Sequence, residues 1–461
     1  MAQAIACSSL LSALWHCVSR ASCLGALVLS KLPRGVAMTS AARTQSPAPR
    51  AEKNGAENGK LVHGAAARAI QRVKNSRMEI TDEGLENIRA WQYKGGTYTP
   101  ADKFLNRFLW TPGANLLPTW LAPNAVTLIG LLWVVLGYLL LVTVYSTDFY
   151  EPAPTWVYVF AAAANFIYQT MDAFDGKQAR RLGASSPLGQ LFDHGCDSVS
   201  TTFIAMTIAS SCRLGFGVRS VALLFSFAVP FWLSQWAEYH THMMEHSLGG
   251  WLGITEGQLV GIFVILCPAL LGPDFYVMDL DLGSLPAWYC GEEPCAVTPR
   301  DLFLWGQLLV ALVFVFSSFR AVLALPKAHK TQALRQTVPI FLLMMLGIAW
   351  CTTVPHSRKH PQLVTFSLGM AFTFLTNKMI VAGMCRMEYE PWSTHAVLVP
   401  LPIIYAIMRL RLLPRHEDVL LGAYVAYGVH KLYKYTFNVV EEISQFLGIY
   451  VLHLGHRQKE D

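Results

Sequence analysis

Charged residues are scarce in this chain. Only 14% of its 461 residues are Asp, Glu, Lys or Arg, and 53% are hydrophobic, whereas about 25% of a typical soluble domain is charged. A soluble core of this size does not need such a composition. The scarcity of charge therefore argues against an ordinary soluble domain and predicts a protein with several membrane spans.

Three further absences narrow the class of protein. The ten cysteines include no Cys-x-x-Cys pair, so no zinc site is indicated. Basic residues do not cluster with interleaved aromatic residues, so we expect no nucleic-acid partner. No segment shows a strand pattern, and backbone groups in lipid must be satisfied within their own segment. The spans are therefore expected to be helices.

Acidic residues are also absent from residues 1–51, which contain five Lys or Arg. Residues 1–80 are predicted to be an extension, either disordered or resembling a targeting segment. Residues 81–122 are expected to form cytoplasmic and interfacial helices, among them an amphipathic helix over Ala101–Trp110 that lies on the membrane. Residues 1–110 hold 15 Lys or Arg against 7 Asp or Glu, a net charge of +8. That charge favours the cytoplasmic side and an anionic lipid surface.

Ten apolar stretches are long enough to cross a bilayer as helices. The expected fold is therefore all-α and polytopic, with about ten transmembrane helices. The predicted spans are 123–146, 154–174, 190–212, 217–241, 255–272, 302–325, 336–353, 362–384, 393–410 and 417–440.

The charges of the loops suggest an orientation for these spans. The acidic loops 147–152 and 273–301 are assigned to the lumen, and the basic loop 326–335 to the cytoplasm. Basic residues at 358–359 and 409–415 oppose this assignment. With it, Cys290 and Cys295 would face an oxidising lumen, where a disulfide between them is one alternative.

One block of residues, Met171–Ser198, concentrates the chemistry of the chain. Acidic side chains near lipid are costly, so four of them in one block indicate function. Asp172 and Asp175 are spaced i, i+3 near the end of the second span, and Asp193 and Asp197 are spaced i, i+4 near the start of the third. Both spacings place two carboxylates on one helical face. A chain reversal between the helices would bring the two pairs together.

Four converging carboxylates would repel one another and need cations. Oxygen ligands favour Mg²⁺ or Mn²⁺ over zinc. The candidate ligands are Asp172, Asp175, Asp193 and Asp197. Two ions held in this way would form a clamp for displacement at a phosphate.

The residues around the aspartates fit a phosphate ester. Gly176 and Ala179 have little bulk, so a ligand can approach the helix closely. Lys177 and Arg180 offer positive charge to phosphate oxygens. Gly189 lies in the first turn of the third span, beside backbone N–H groups that favour anions.

His194 lies between two of the aspartates and titrates near neutrality, so it is a candidate to take a proton from an alcohol.

Two other classes of protein also place aspartates in membranes. An intramembrane prenyltransferase would need two separated aspartate-rich motifs, whereas this chain has one block. A divalent-cation transporter would need carboxylates at the bilayer centre and internal repeats.

The string DAFDGKQARR…SSPLGQLFDHGCDS resembles the sequence motif of the CDP-alcohol phosphotransferase family, with all eight motif positions matching. More narrowly, GKQARR, SSPLG and FDHGCDS resemble the eukaryotic choline/ethanolaminephosphotransferase branch. So do Leu121–Asn124 and Thr376–Lys378. The resemblance covers about residues 85–450.

The resemblance implies transfer of phosphocholine or phosphoethanolamine, or both, from the CDP-alcohol to the hydroxyl of diacylglycerol. The products would be CMP and phosphatidylcholine or phosphatidylethanolamine. It leaves open another CDP-alcohol phosphotransferase, such as an inositol- or glycerophosphate-using phospholipid synthase. It also implies an integral protein of the endoplasmic reticulum or Golgi whose active site faces the cytoplasm.

The resemblance assigns roles by position. It implies that Asp172, Asp175 and Asp193 bind metal and that Asp197 completes the sites. His194 would be the general base, assisted by Glu256 at the start of the fifth span. A helix cap is an equal alternative for Glu256, since acidic residues are common at helix starts. The implied CDP-binding residues are Asn124, Thr127, Gly176, Ala179, Arg180 and Gly189.

The same resemblance divides the chain. Residues 123–272 would form the catalytic helices, 273–301 a lumenal loop, 302–450 the C-terminal helices and 451–461 a tail. Spans 5 to 10 are expected to build the cavity for the lipid acceptor, and a homodimer surface on them is left open.

Overall fold

A computed structural model of the chain describes residues 79–455, except residues 92–97, 245–246, 291–292 and 355–358. The extension predicted over residues 1–80 lies outside the described residues except for its last two, and the end of the predicted tail, 456–461, also lies outside them. The α-helices of the described residues are α1 (Asp82–Arg89), α2 (Pro100–Leu105), α3 (Thr111–Leu116), α4 (Pro123–Tyr138), α5 (Thr155–Arg181), α6 (Pro187–Ser211), α7 (Val218–Thr241), α8 (Ile254–Leu271), α9 (Ala287–Cys290), α10 (Pro299–Leu323), α11 (Lys327–Thr353), α12 (Pro361–Met384), α13 (His395–Leu398), α14 (Pro400–Arg409) and α15 (Glu417–Leu447).

Helices occupy all ten predicted spans, which confirms an all-α polytopic membrane protein. Six helices of the described residues are long and apolar enough to cross a membrane, and a pair bent by 41° at α13–α14 would be a seventh. α5, α6 and α15 are 27, 25 and 31 residues long, but they carry more polar residues. The count of ten spans therefore stays a prediction. The six are α4 with its π-helical continuation to Tyr145, α7, α8, α10, α11 and α12.

The amphipathic helix predicted over Ala101–Trp110 is present but is not a single regular α-helix. α2 continues into a π-helical turn over Asn106–Trp110 and then into α3. Phe104 and Phe108 are each 62% exposed on it, whereas Trp110 is buried. An exposed aromatic face of this kind fits a helix that rests on a membrane surface.

Two short antiparallel hairpins lie between the helices, although the sequence predicted no strands. β1 (Ser247–Leu248) pairs with β2 (Leu252–Gly253), and β3 (Ser284–Leu285) pairs with β4 (Cys295–Ala296). Each strand has only two residues, too few for an alternating pattern to be recognised. The disulfide Cys290–Cys295 joins the end of α9 to β4, which confirms the alternative that these cysteines pair.

Close helix packing fixes α5 and α6, which carry the aspartates. On α4, a Cβ atom at Gly130 would lie 2.9 Å from the Cβ of Met171, so the absence of a side chain lets α4 approach α5. α12 packs against α6, and 89% of its apolar stretch is buried. Its Asn377 amide donates to Ser198 Oγ at 2.9 Å, and Thr373 Oγ1 donates to the Ser198 carbonyl at 3.1 Å. Polar contacts of this kind hold neighbouring helices in register within a membrane.

Candidate active site

The chain reverses between α5 and α6 as the sequence predicts. Gly183 adopts a left-handed conformation (φ +64°) just after α5, which a glycine allows without strain. Ser186 caps α6 by accepting a hydrogen bond from the Gly189 N–H at 3.1 Å, and Pro187 occupies the first helical position. The reversal returns the chain so that the start of α6 lies beside the end of α5.

Three of the four predicted aspartates converge across this pair of helices. Carboxylate oxygens of Asp172, Asp193 and Asp197 all lie within 4.8 Å of one another. The Oδ1 atoms of Asp172 and Asp193 are buried and have no hydrogen-bond partner among the described residues. Buried carboxylate oxygens without donors are costly unless a cation compensates them. The oxygen-only donor set therefore fits a hard divalent cation.

Asp175 lies beside this cluster and contacts Thr127. The Thr127 hydroxyl donates to the Asp175 carboxylate and also bonds the Pro123 carbonyl at 3.3 Å. Thr127 is 2% exposed and is absent from the lining of the large cavity described below. Thr127 thus faces α5 from α4 and lies behind Asp175, and its role in binding CDP stays a prediction.

Tyr168 is a residue of the site that the sequence reasoning missed. Its buried hydroxyl donates to Asp197 and accepts a hydrogen bond from Ser200 Oγ at 2.9 Å. The contact orients Asp197, as partners of metal-binding carboxylates generally do. A signal was available, because Tyr168 precedes Asp172 by four residues and so lies on the same helical face.

A cavity of about 1210 Å³ opens onto the carboxylates. Two of the predicted residues, Thr127 and Glu256, do not line it. The predicted residues that do line it are Asn124, Asp172, Asp175, Gly176, Lys177, Ala179, Arg180, Gly189, Asp193, His194 and Asp197. The sequence motif therefore forms one wall of a single cavity.

Two glycines in the polar part of this cavity have open space where a side chain would lie. A Cβ atom at Gly176 would meet only the Arg180 guanidinium, at 3.5 Å. A Cβ atom at Gly189 would meet Asn124 Oδ1 and Ser186 Oγ, both at 3.5 Å. These are ordinary contact distances, unlike the 2.9 Å at Gly130. Packing within the protein does not require glycine at 176 or 189, whereas a ligand in the cavity would.

Glu256 caps the start of α8. Its two carboxylate oxygens accept hydrogen bonds from the Gly253 N–H at 3.0 Å and the Ala101 N–H at 3.2 Å. The first is a capping-box bond, which a glutamate at the third helical position readily forms. The second ties α8 to α2. The structure thus shows the helix-cap alternative for Glu256, and its assistance to His194 stays a prediction.

The cavity continues from the carboxylates into an apolar part between four helices. Its walls include Ile208 of α6, Phe231 of α7, Ile265 of α8 and Phe314 of α10. Among the described residues, α11 to α14 do not contribute to the lining. The expectation that spans 5 to 10 build the cavity for the lipid acceptor stays a prediction. Polar and apolar walls meet at the aspartates, so two unlike ligands could meet there.

The chain after α15 also lines the cavity, which the sequence did not predict. Ile449, Tyr450, Val451, His453, Leu454 and Gly455 contribute to the lining. The Asn124 amide donates to the Val451 carbonyl at 2.9 Å. We call residues Ile449–Gly455 the C-terminal segment. No motif or periodicity in it signals this position.

Comparison with known proteins adds a family to this geometry. The family CDP-alcohol phosphatidyltransferase matches residues 120–288. Choline/ethanolaminephosphotransferase 1 of Arabidopsis thaliana is 30% identical over 402 residues, which cover 82% of this chain and 99% of the relative. Ethanolaminephosphotransferase 1 of Homo sapiens is 30% identical over 403 residues, which cover 81% of this chain and 94% of the relative. Cholinephosphotransferase 1 of Saccharomyces cerevisiae is 26% identical over 407 residues, covering 82% and 98%. The chain thus belongs to the CDP-alcohol phosphatidyltransferase family.

Proposed function

We propose that this protein transfers phosphocholine or phosphoethanolamine, or both, from the CDP-alcohol to the hydroxyl of diacylglycerol, releasing CMP. The observation that carries the proposal is the position of the carboxylate cluster at the junction of a polar and an apolar part of one cavity. The names of the relatives support the same substrates, since they specify choline and ethanolamine. The products are phosphatidylcholine and phosphatidylethanolamine.

The proposed metal site holds two Mg²⁺ or Mn²⁺ ions on Asp172, Asp175, Asp193 and Asp197. The mutual approach of three carboxylates and the two buried oxygens without donors support it. When bound, such ions neutralise charge on the pyrophosphate and favour departure of CMP. Tyr168 contributes by fixing the orientation of Asp197.

The polar part of the cavity is the proposed nucleotide pocket. Gly176, Ala179 and Gly189 leave space for the pyrophosphate, while Lys177 and Arg180 supply positive charge to it. An arginine can bond two phosphate oxygens at once, which fixes the phosphate as well as binding it. Asn124 lies beside Gly189 and completes this wall.

His194 is the proposed general base. It is 6% exposed and lines the cavity, and in the sequence it lies between Asp193 and Asp197. An imidazole nitrogen of His194 accepts the proton of the diacylglycerol hydroxyl as the oxygen attacks the β-phosphorus. The bond from that phosphorus to the bridging oxygen breaks, and CMP leaves with the oxygen. Removing the proton during attack is the usual role of a base in such a step.

The apolar part of the cavity is the proposed site of the acyl chains. It is lined by Ile265 of α8 and Phe314 of α10, so diacylglycerol would enter from the bilayer between these helices. Apolar walls favour acyl chains by removing them from water.

The homodimer remains a proposal too: Leu312 and Phe316 are exposed on α10, as they would be on a face that meets lipid or a second copy.

We also propose that the active site faces the cytoplasm in the endoplasmic reticulum or Golgi. Roughly 27 Å of helix separates Asp193 from Ser211 at the far end of α6. The disulfide lies toward that far end, because α7 begins there and Arg219 Nη2 lies 3.0 Å from Cys295 Sγ. A disulfide supports an oxidising lumen on its own side, which leaves the carboxylates toward the cytoplasm.

CMP release by the purified protein tests the proposed function. With diacylglycerol and Mg²⁺ or Mn²⁺, we expect CMP and phospholipid in equal amounts from CDP-choline, CDP-ethanolamine or both. Competition between the two donors would then give the head-group preference. The alternative function, an inositol- or glycerophosphate-using synthase, would instead require CDP-diacylglycerol with inositol or glycerol phosphate. Product only from that pair would contradict the proposal.

Gly176→Ala is expected to raise the KM for the CDP-alcohol by roughly 5- to 100-fold, the range of an overpacked contact. The added methyl group has room in the protein alone but would occupy space that the pyrophosphate needs. The thermal unfolding temperature should change little. The matched control is Gly130→Ala, whose methyl group would press on Met171 and should lower that temperature. An unchanged KM in a folded Gly176→Ala protein would contradict the placement of the pyrophosphate.

A further inference from the structure

We propose that the C-terminal segment, Ile449–Gly455, is part of the nucleotide pocket and closes over the bound CDP-alcohol. The inference rests on the proposed function, because it takes the polar part of the cavity as the nucleotide site. It adds a binding element that lies more than 250 residues after the aspartate motif.

The path of the chain places the segment against the pocket. α15 ends at Gly448, which adopts a left-handed conformation (φ +66°) and turns the chain away from the helix axis. Ser444 Oγ then donates to the Ile449 carbonyl at 2.6 Å, and the Ile449 N–H donates to the Ser444 carbonyl at 3.1 Å. These bonds direct the following residues back across the start of α4.

Asn124 connects the segment with the predicted nucleotide site. Its side-chain amide donates to the Val451 carbonyl, while its Oδ1 lies 3.5 Å from the position of a Cβ atom at Gly189. One side chain therefore touches both the C-terminal segment and the first turn of α6. A nucleotide that fills the space beside Gly189 must lie next to the segment.

The exposure of the segment places it where the cavity meets solvent. His453, Leu454 and Gly455 are exposed, and all three also line the cavity. A stretch that is both exposed and part of the lining forms a wall at the opening of the cavity. A nucleotide that enters or leaves at this opening would pass the segment.

Linkage gives this arrangement a measurable consequence. If contacts with the segment strengthen nucleotide binding, bound nucleotide must stabilise the closed segment by the same factor. The segment should therefore become less accessible to a reagent in solvent when nucleotide binds, although it does not carry the aspartates or His194.

Cysteine labelling tests this consequence in the full chain. His453→Cys is made with Cys7, Cys17 and Cys23 replaced by serine, since the five unpaired cysteines of the described residues are all buried. A membrane-impermeant maleimide is added with and without CMP and Mg²⁺. We expect CMP to slow labelling of the cysteine at 453 by at least about fivefold. The matched control is Glu86→Cys on exposed α1 outside the cavity, where CMP should change nothing.

The outcomes separate this inference from the proposed function. CMP should raise the thermal unfolding temperature of the unmodified protein, as any ligand that binds the native state does. If it does so but leaves labelling at 453 unchanged, the inference is wrong and the proposed function stands. If CMP does not stabilise the unmodified protein, both are overturned.

A chain ending at Gly448 gives an independent kinetic test. We expect its KM for the CDP-alcohol to rise about tenfold, as for the loss of one or two hydrogen bonds at the site, with the KM for diacylglycerol unchanged. An equal rise in both constants, or no rise in a protein that unfolds at its usual temperature, would contradict a wall specific to the nucleotide.

Discussion

Asp193→Asn is expected to lower the rate of phospholipid formation by about 10³-fold or more, because it removes a charged ligand at the centre of the carboxylate cluster. Metal ions contribute several kcal/mol to charge stabilisation in such reactions, and each 1.36 kcal/mol is a factor of ten in rate. A carboxylate oxygen of Asp193 lies within 4.8 Å of one from Asp172 on α5 and one from Asp197 on α6. Loss of its charge should therefore weaken binding of both ions.

The folded protein should survive this substitution. Asparagine has the same shape, and it relieves the repulsion among three carboxylates when no cation is bound. The thermal unfolding temperature without metal should stay the same or rise, whereas its increase on adding Mn²⁺ should shrink. Asp281→Asn is the matched control, since Asp281 is exposed in a loop and the change of charge is identical. Near-normal turnover by a folded Asp193→Asn protein would remove the metal role.

His194→Ala is expected to slow transfer by roughly 10²- to 10⁴-fold, the usual contribution of a positioned acid or base. The loss should appear in kcat, with a small change in the KM for the CDP-alcohol, because the imidazole acts on the acceptor hydroxyl and not on the nucleotide. Steady-state kinetics with each substrate varied in turn would show this division.

The dependence of the residual rate on pH would identify the role of His194. Only the deprotonated imidazole can accept a proton, so a base at this position makes the normal rate rise with pH. In His194→Ala this rise should be absent. His395→Ala, at an exposed histidine on α13, is the matched control and should keep both the rate and the pH profile. A folded His194→Ala protein that loses rate but keeps the rise would assign His194 to packing.

Local chemistry explains why the sequence could predict the centre of the site. The two aspartate pairs have helical spacings, and Ser186 with Pro187 marks the start of α6. These features act over a few residues, so the reversal and the shared cavity follow from them. The helical positions of the ten spans follow in the same way from apolar length.

Contacts between distant elements explain what the sequence could not predict. The local pattern of Glu256 fits both a catalytic carboxylate and a helix cap, and its bond to the Ala101 N–H joins elements that are about 155 residues apart in the sequence. Thr127 likewise faces Asp175 because α4 packs on α5. The C-terminal segment has no composition that marks it as a wall, since its place depends on where α15 ends.

The hydrogen bonds from Asn377 and Thr373 to Ser198 link the catalytic helices to a helix outside the region that matches the family. The residues that match the family end at 288, but the helix that holds Ser198 in place begins at Pro361. Ser198 directly follows Asp197, so a hydrogen bond from a residue some 180 positions later holds the backbone next to that aspartate. The matching region thus does not hold all the contacts around the aspartates: a fragment cut at its boundary would keep the eight motif positions but lose the bonds from Asn377 and Thr373.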